Sequence, residues 1–387
     1  MCLAPPLRGG FFITTAVAVY DLSAFQATGQ PFCHGAILPL DLAMEYNKLD
    51  FSCDYLEGAH ERILKRLMDD NFKQMEGYGF DPVSQSARRR IREACACPGA
   101  EIQFLEGGTQ ANEVVVSCLL EPWQGVIAAT SGHVSVHEAG AIEAGGHKVL
   151  ELPGQHGKLE ASQIQSCMEA FRSDSNHEHM VEPGLVYISQ PTEYGTLYSK
   201  AELEALSRAC HENALKLYCD GARLAYALAS PENDASLSDL SRLCDAFYIG
   251  GTKCGALIGE AAVVPDPKLI PHFFTRIKQH GALLAKGRLL GTQFDELFKD
   301  GLYFEIGKKA VAQARRIEER LEKRGIPLLF KSPTNQVFFI ISRQKMEELG
   351  RKVAYSFWEW RGNDAVVRLS TSWATRDEDV EALLKLL

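Results

Sequence analysis

No stretch of this sequence approaches the roughly 20 consecutive apolar residues needed to span a bilayer, so no membrane-crossing helix is expected. Positive charge is not in excess either. Lys and Arg number 41 against 50 Asp and Glu, a net of −9, and such a surface repels polyphosphate and anionic lipid. Nucleic acid and membranes are therefore not expected partners. Cysteine is sparse, eleven in 387 residues, too few for a disulfide scaffold and odd in number, which fits a reducing, cytoplasmic compartment. Repeats and low-complexity tracts are missing. So are a Walker A loop, a Gly-x-Gly-x-x-Gly fingerprint, a His-Glu-x-x-His motif and a Cys-x-x-Cys pair, which removes the usual signatures of nucleotide and zinc sites.

What is present is ordinary globular material, 46% hydrophobic and 24% charged, long enough for two or three core-bearing units. Residues 1–45 read as an extension of unassigned role. A single cation before the apolar Phe11–Val19 is only a faint echo of a signal peptide. From there the pattern is strand then helix. Apolar runs at Ile102–Leu105, Val126–Ala129, Lys148–Leu152, Leu185–Ile188, Leu215–Tyr218 and Ala246–Ile249 read as buried strands. Ser199-Lys-Ala-Glu202 is a capping box. Alternation of this kind predicts an α/β fold, a mainly parallel sheet with helices on both faces and a ligand at the carboxyl ends of the strands. That large domain should run over 46–288. A smaller α+β domain over 289–387 is predicted from a long amphipathic helix at Tyr303–Arg324, strands near Gln336–Ile341 and Ala365–Leu369, and a closing helix from Asp377. Residues 172–183 read as a solvated loop.

Four places can carry chemistry. Gly250-Gly-Thr-Lys253-Cys-Gly sets one lysine at a strand's carboxyl end among small residues. Desolvated there, its amine has a lowered pKa and can act as a nucleophile on a carbonyl; alone, the segment could equally be a Gly-rich turn with a surface lysine. Asp220, in Cys-Asp220-Gly-Ala-Arg223, ends the preceding strand and should reach the same sheet edge. A lysine and an acid so placed match the needs of pyridoxal 5'-phosphate, whose ring nitrogen must stay protonated while an amine holds the aldehyde. Gly108 and Thr109 open a helix after a strand, where backbone N–H groups bind anions. His133 and His137, spaced i and i+4, could wall or proton-handle such a site, could be plain surface histidines, or could begin a metal site for a hydrolase that lacks a third ligand.

Taken in order, these segments resemble the low-specificity L-threonine aldolases of the beta-eliminating lyase group, pyridoxal-dependent enzymes of aspartate aminotransferase fold type I. The resemblance is carried by Asp54-Tyr-Leu-Glu-Gly58, Tyr78-Gly-Phe-Asp81, Gly108-Thr109, His133 through Ile142-Glu143, Asp220 through Arg223, Gly250 through Ala256, Lys278 through Gly291 and Val366 through Thr375. It implies a catalytic role for Lys253, His133 and Asp220. Lys253 would carry pyridoxal phosphate, Asp220 would face its ring nitrogen, His133 would stack on the ring, and Gly108, Thr109 and Lys278 would hold the phosphate, Lys278 from a neighbouring subunit. Arg223 and Arg368 would clamp the substrate carboxylate, with Glu193 handling a proton and no metal involved. Cys53 departs from the Ser or Asn usual in relatives. The implied reaction is cleavage of a β-hydroxy amino acid, L-threonine or L-allo-threonine, to glycine and an aldehyde by a homodimer or homotetramer. β-Elimination, transamination, a serine hydroxymethyltransferase-like reaction and a non-enzymatic relative remain alternatives.

Overall fold

Strands that are apolar along their whole length need cover on both faces, and five of the six runs become buried strands; the sixth, expected over Lys148–Leu152, is instead an edge strand, Val149–Leu152, with Glu151 exposed because no further strand covers that side. The computed structural model describes residues 48–387; the expected extension over 1–45 lies outside the described residues. In chain order the first eight strands are β1 (Leu49–Asp50), β2 (Glu101–Leu105), β3 (Gln124–Ala129), β4 (Val149–Leu152), β5 (Glu182–Ser189), β6 (Lys216–Asp220), β7 (Ala246–Gly250) and β8 (Glu260–Val264). All but β1 form one seven-stranded sheet, ordered β2-β8-β7-β6-β5-β3-β4. Neighbours from β7 through β4 are parallel, while β8 runs antiparallel to both β2 and β7. Strand β8 was not foreseen, because its five residues follow a Gly-rich loop with no pattern of their own.

Side chains alternate across this sheet. Val186, Ile188, Leu217, Cys219, Phe247 and Ile249 enter one apolar layer; Leu185, Tyr187, Tyr218, Ala246 and Tyr248 enter the other. Burying each such side chain contributes about 1.5–3 kcal/mol. The capping box forms as predicted: Ser199 N–H donates to Glu202 at 2.8 Å and Glu202 N–H to Ser199 Oγ at 3.3 Å, opening the helix Lys200–Glu212.

A second sheet follows. Strands β9 (Gln336–Ser342), β11 (Ser356–Arg361) and β12 (Asp364–Ser370) are antiparallel in the order β11-β12-β9. The helices Leu302–Lys323 and Asp377–Leu386 lie on it and share its core through Ile317, Leu321, Val337, Phe339, Val367 and Leu383. Strand β1 pairs in parallel with the short β10 (Val353–Ala354), so the first described residues attach beside the last third of the chain and deliver Asp54 and Tyr55 to the large sheet's edge. The loop expected over 172–183 is shorter than that: Arg172 and Ser173 close the helix Ala161–Ser173, a 3-10 turn spans His177–His179, and β5 already begins at Glu182. No helix among the described residues is long and apolar enough to cross a membrane.

Candidate active site

Because β6 and β7 are parallel neighbours, with Tyr218 beside Ala246 and Cys219 beside Phe247, their carboxyl ends share one edge. β6 ends on Asp220 and β7 on Gly250, three residues before Lys253. The two turns leaving these strands cross so closely that a Cβ on Gly250 would lie 2.3 Å from the Ala222 carbonyl oxygen. Between them opens a cavity of about 320 Å³ lined by Gly108, Thr109, His133, Glu193, Asp220 and Lys253, a size suited to a small ligand, for which roughly 300–1,000 Å³ is usual. A Cβ on Gly108 would come within 2.9 Å of the Tyr248 hydroxyl. An adjoining cavity of about 620 Å³ shares Tyr55, His133, Glu193, Arg223 and Lys253 and reaches Trp358 and Arg368. A larger cavity, about 950 Å³, lies away from these groups at the outer edge of β4.

Asp220 is buried at the cavity wall, and each of its oxygens accepts two hydrogen bonds. Oδ1 accepts from the Tyr248 hydroxyl at 2.6 Å and the Ala222 N–H at 2.9 Å; Oδ2 accepts from the Tyr187 hydroxyl at 2.7 Å and Asn112 Nδ2 at 3.1 Å. Burial pushes its carboxyl toward the neutral form, but the charge of His133 and these hydrogen bonds outweigh it, so its pKa lies below the usual carboxylate value. Lys253 moves the opposite way from a surface lysine. Burial, reinforced by the positive charge of Arg223, depresses its pKa against the pull of Asp54, Asp220 and Glu260. Its ammonium sits 5.8 Å from the centre of the Tyr55 ring. Glu260, on β8, accepts from the Gly251 N–H at 2.9 Å, and burial pushes its carboxyl up to about 8 despite that bond.

His133 opens a short helix, His133–Val136, and shares its Nδ1 hydrogen bond with Glu138 at 2.7 Å. Glu193 Oε1 accepts from the His133 N–H at 2.9 Å and from Ser189 Oγ at 2.8 Å; burial raises its pKa in spite of both. His137 stands 5.8 Å from His133, ring centre to ring centre, and lines only the larger of the two site cavities.

The two arginines differ. Arg223 makes a two-pronged bond to Asp54, 2.6 Å from Nε and 3.0 Å from Nη2, and this pair holds the Asp54 carboxyl at about 2 against the upward push of burial. Arg368 bonds to Gln336, Ser356 Oγ and the Ser52 carbonyl; its buried Nε has no partner, and among the described residues it has no carboxylate within ion-pair distance. Lys278 lies outside the cavity lining, its ammonium 4.9 Å from the centre of the Tyr78 ring. Sequence reasoning passed over Asn112, Tyr187, Tyr248 and Glu260. Their only signal was a hydroxyl inside an apolar run, for the two tyrosines, or an amide or carboxyl just before one.

With this geometry in hand, the likeness to known proteins falls into place. The sequence profile of the beta-eliminating lyases matches residues 58–349. The chain belongs to the beta-eliminating lyase family. Among the relatives of this family member is the low specificity L-threonine aldolase of a Pseudomonas species, 30% identical over 336 residues that cover 86% of this chain and 95% of that one. The solved Leishmania major threonine aldolase is 44% identical, covers 87% of this chain and 98% of its own, and superposes with a TM-score of 0.84. Thermus thermophilus aspartate aminotransferase, at 17% identity, covers 90% of this chain and 93% of its own with a TM-score of 0.66, which places this family member in fold type I. Family and fold are those that the ordered motifs implied.

Proposed function

We propose that this chain is a pyridoxal 5'-phosphate-dependent aldehyde-lyase that cleaves L-threonine or L-allo-threonine to glycine and acetaldehyde. The observation that carries the reading is the meeting of Lys253 and Asp220 in one cavity with the helix entrance at Gly108 and Thr109, in a chain similar over most of its length to threonine aldolases. The residues fit the cofactor. The small Gly108 leaves room at a helix N-terminus for its phosphate, the ionised Asp220 can face a protonated ring nitrogen, and Lys253, its amine made easier to deprotonate by burial, can hold the aldehyde carbon. When bound, the group supplies an electron sink for bonds broken at the substrate Cα.

The chain's own residues do the rest. Arg368, with its buried and unpartnered Nε, is the better carboxylate clamp, while Arg223 is already committed to Asp54. Glu193, its pKa raised by burial, accepts the proton of the substrate β-hydroxyl. His133 walls the ring site, and the carboxylate clamp decides which Cα bond stands ready to break. A cytoplasmic location is supported by nine unpaired cysteines among the described residues. A homodimer or homotetramer, with Lys278 serving a neighbour's phosphate site, is supported by the exposure of Leu64, Met68 and Phe72 along one side of the chain.

Purified protein given pyridoxal phosphate should show a visible absorption band and release glycine and acetaldehyde from threonine. Lys253→Ala should abolish the band and lower turnover by at least about 10³-fold. A Lys253→Ala protein with undiminished cleavage would remove that lysine from the chemistry.

A further inference from the structure

The wall of the cavity and its floor are joined behind the scenes by two residues that do not line it. Glu138 has a fully buried side chain, yet only one of its oxygens is used. Oε1 receives both His133 Nδ1 at 2.7 Å and Asn112 Nδ2 at 2.6 Å, whereas Oε2 is buried without a partner. Asn112 spends its second amide hydrogen on Asp220 Oδ2 at 3.1 Å, and its carbonyl oxygen accepts from the Tyr218 hydroxyl at 3.1 Å. With a carboxylate on two sides of the amide nitrogen and a hydroxyl donor on the oxygen, only one orientation of the Asn112 amide satisfies all three contacts. The result is an unbroken chain, His133–Glu138–Asn112–Asp220.

We propose that Glu138 is a positioning residue that fixes His133 as the Nδ1–H tautomer and leaves the Nε2 lone pair for the cavity, with Asn112 holding Glu138 in register with Asp220. An acceptor on Nδ1 selects which ring nitrogen keeps the hydrogen. Without it, a neutral imidazole returns to the Nε2–H form that free histidine side chains favour, and the nitrogen facing the cavity becomes a donor. Only Oε1 is needed for this. Glu138→Gln therefore preserves the selection, since the opposite amide orientation would set its NH2 against that of Asn112. Glu138→Ala removes the acceptor.

The test is ¹⁵N NMR of histidine-labelled full-length protein at a pH where the ring is neutral, with the His133 signals assigned by their loss in His133→Gln. Wild type and Glu138→Gln should show a protonated Nδ1 and a bare Nε2, and Glu138→Ala the reverse. In threonine cleavage, Glu138→Ala should lose about 10²-fold in kcat with KM within about three-fold of wild type, and Glu138→Gln should restore most of that loss. The turnover arm rests on the aldolase reading, but the NMR arm does not: absent cleavage with the expected tautomers would overturn only that reading. An Nε2–H ring in the wild type overturns the role of Glu138, a result that needs no variant to fold. An unchanged tautomer in Glu138→Ala does the same.

Discussion

At the scale of single residues, the site is a set of carboxyl groups pushed in opposite directions by their surroundings. Asp54 and Asp220 are buried beside cationic groups or strong donors and stay ionised; Glu193 and Glu260 are buried with less support and lean toward the neutral form. For Glu260 the pH consequence can be worked out. Its folded value of about 8 stands above its ordinary 4.5, so between those limits the folded chain keeps a proton that the unfolded chain has released. Stability from this group therefore falls as pH rises through that window. Glu260→Gln lacks the effect, and its stability relative to wild type should improve by about 2 kcal/mol between pH 5.5 and pH 7.5, read from urea midpoints at the two pH values. A constant difference would show that Glu260 ionises normally. The residues at strand ends, Lys253 and Asp220, were legible because chemistry and position coincide there. The partners that set their charge were not, since Tyr187 and Tyr248 look in sequence like any other strand aromatics.

At the scale of elements, one short segment does more than its length suggests. The backbone around Phe51 joins both sheets: β1 pairs with β10, Phe51 enters the core of the second sheet, and Asp54 reaches Arg223 in the turn after β6 and Asn335 just before β9. Removing one member of a buried ion pair leaves the other uncompensated, which typically costs about 3–5 kcal/mol. Asp54→Asn should destabilise the protein by that amount at neutral pH in denaturant unfolding, and should also weaken threonine cleavage by loosening Arg223 near Lys253. Since the Asp54 value is lowered from 3.8 to about 2, its contribution is complete above 3.8 and is lost as pH falls through about 2. A variant as stable as wild type would show the pair to be dispensable. The amphipathic helix Leu302–Lys323 and strands β9 and β12 were legible from periodicity, whereas β8, β10 and β11 were not. Glu260–Val264 is too short for a period to appear, and Ser356–Arg361 has a register shift between Phe357 and Glu359 and an exposed edge, so its aromatics do not mark a buried face.

At the scale of the whole molecule, Leu64, Met68 and Phe72 recur every four residues along and just beyond the helix Glu61–Asp70, and Phe72 is 96% exposed. A surface of this kind, on a chain whose proposed phosphate site lacks Lys278, fits burial against a second copy. Sedimentation should show an oligomer, and Met68→Glu with Phe72→Glu should shift it toward the monomer mass and lower cofactor affinity; a wild-type monomer would dismiss the expectation. The division between sequence and structure follows the range over which the forces act. The order of the parallel strands and the helices between them, the two strand-end groups and the turn into the helix at Gly108 and Thr109 were determined by the sequence, because local backbone preference and apolar periodicity need only neighbouring residues to express themselves. Which carboxylate Arg223 binds, that Arg368 is left without one, and that Glu138 and Asn112 tie His133 to Asp220 were decided by the tertiary structure alone, because those contacts join residues far apart in the chain and depend on how closely packed strands and turns exclude water from them.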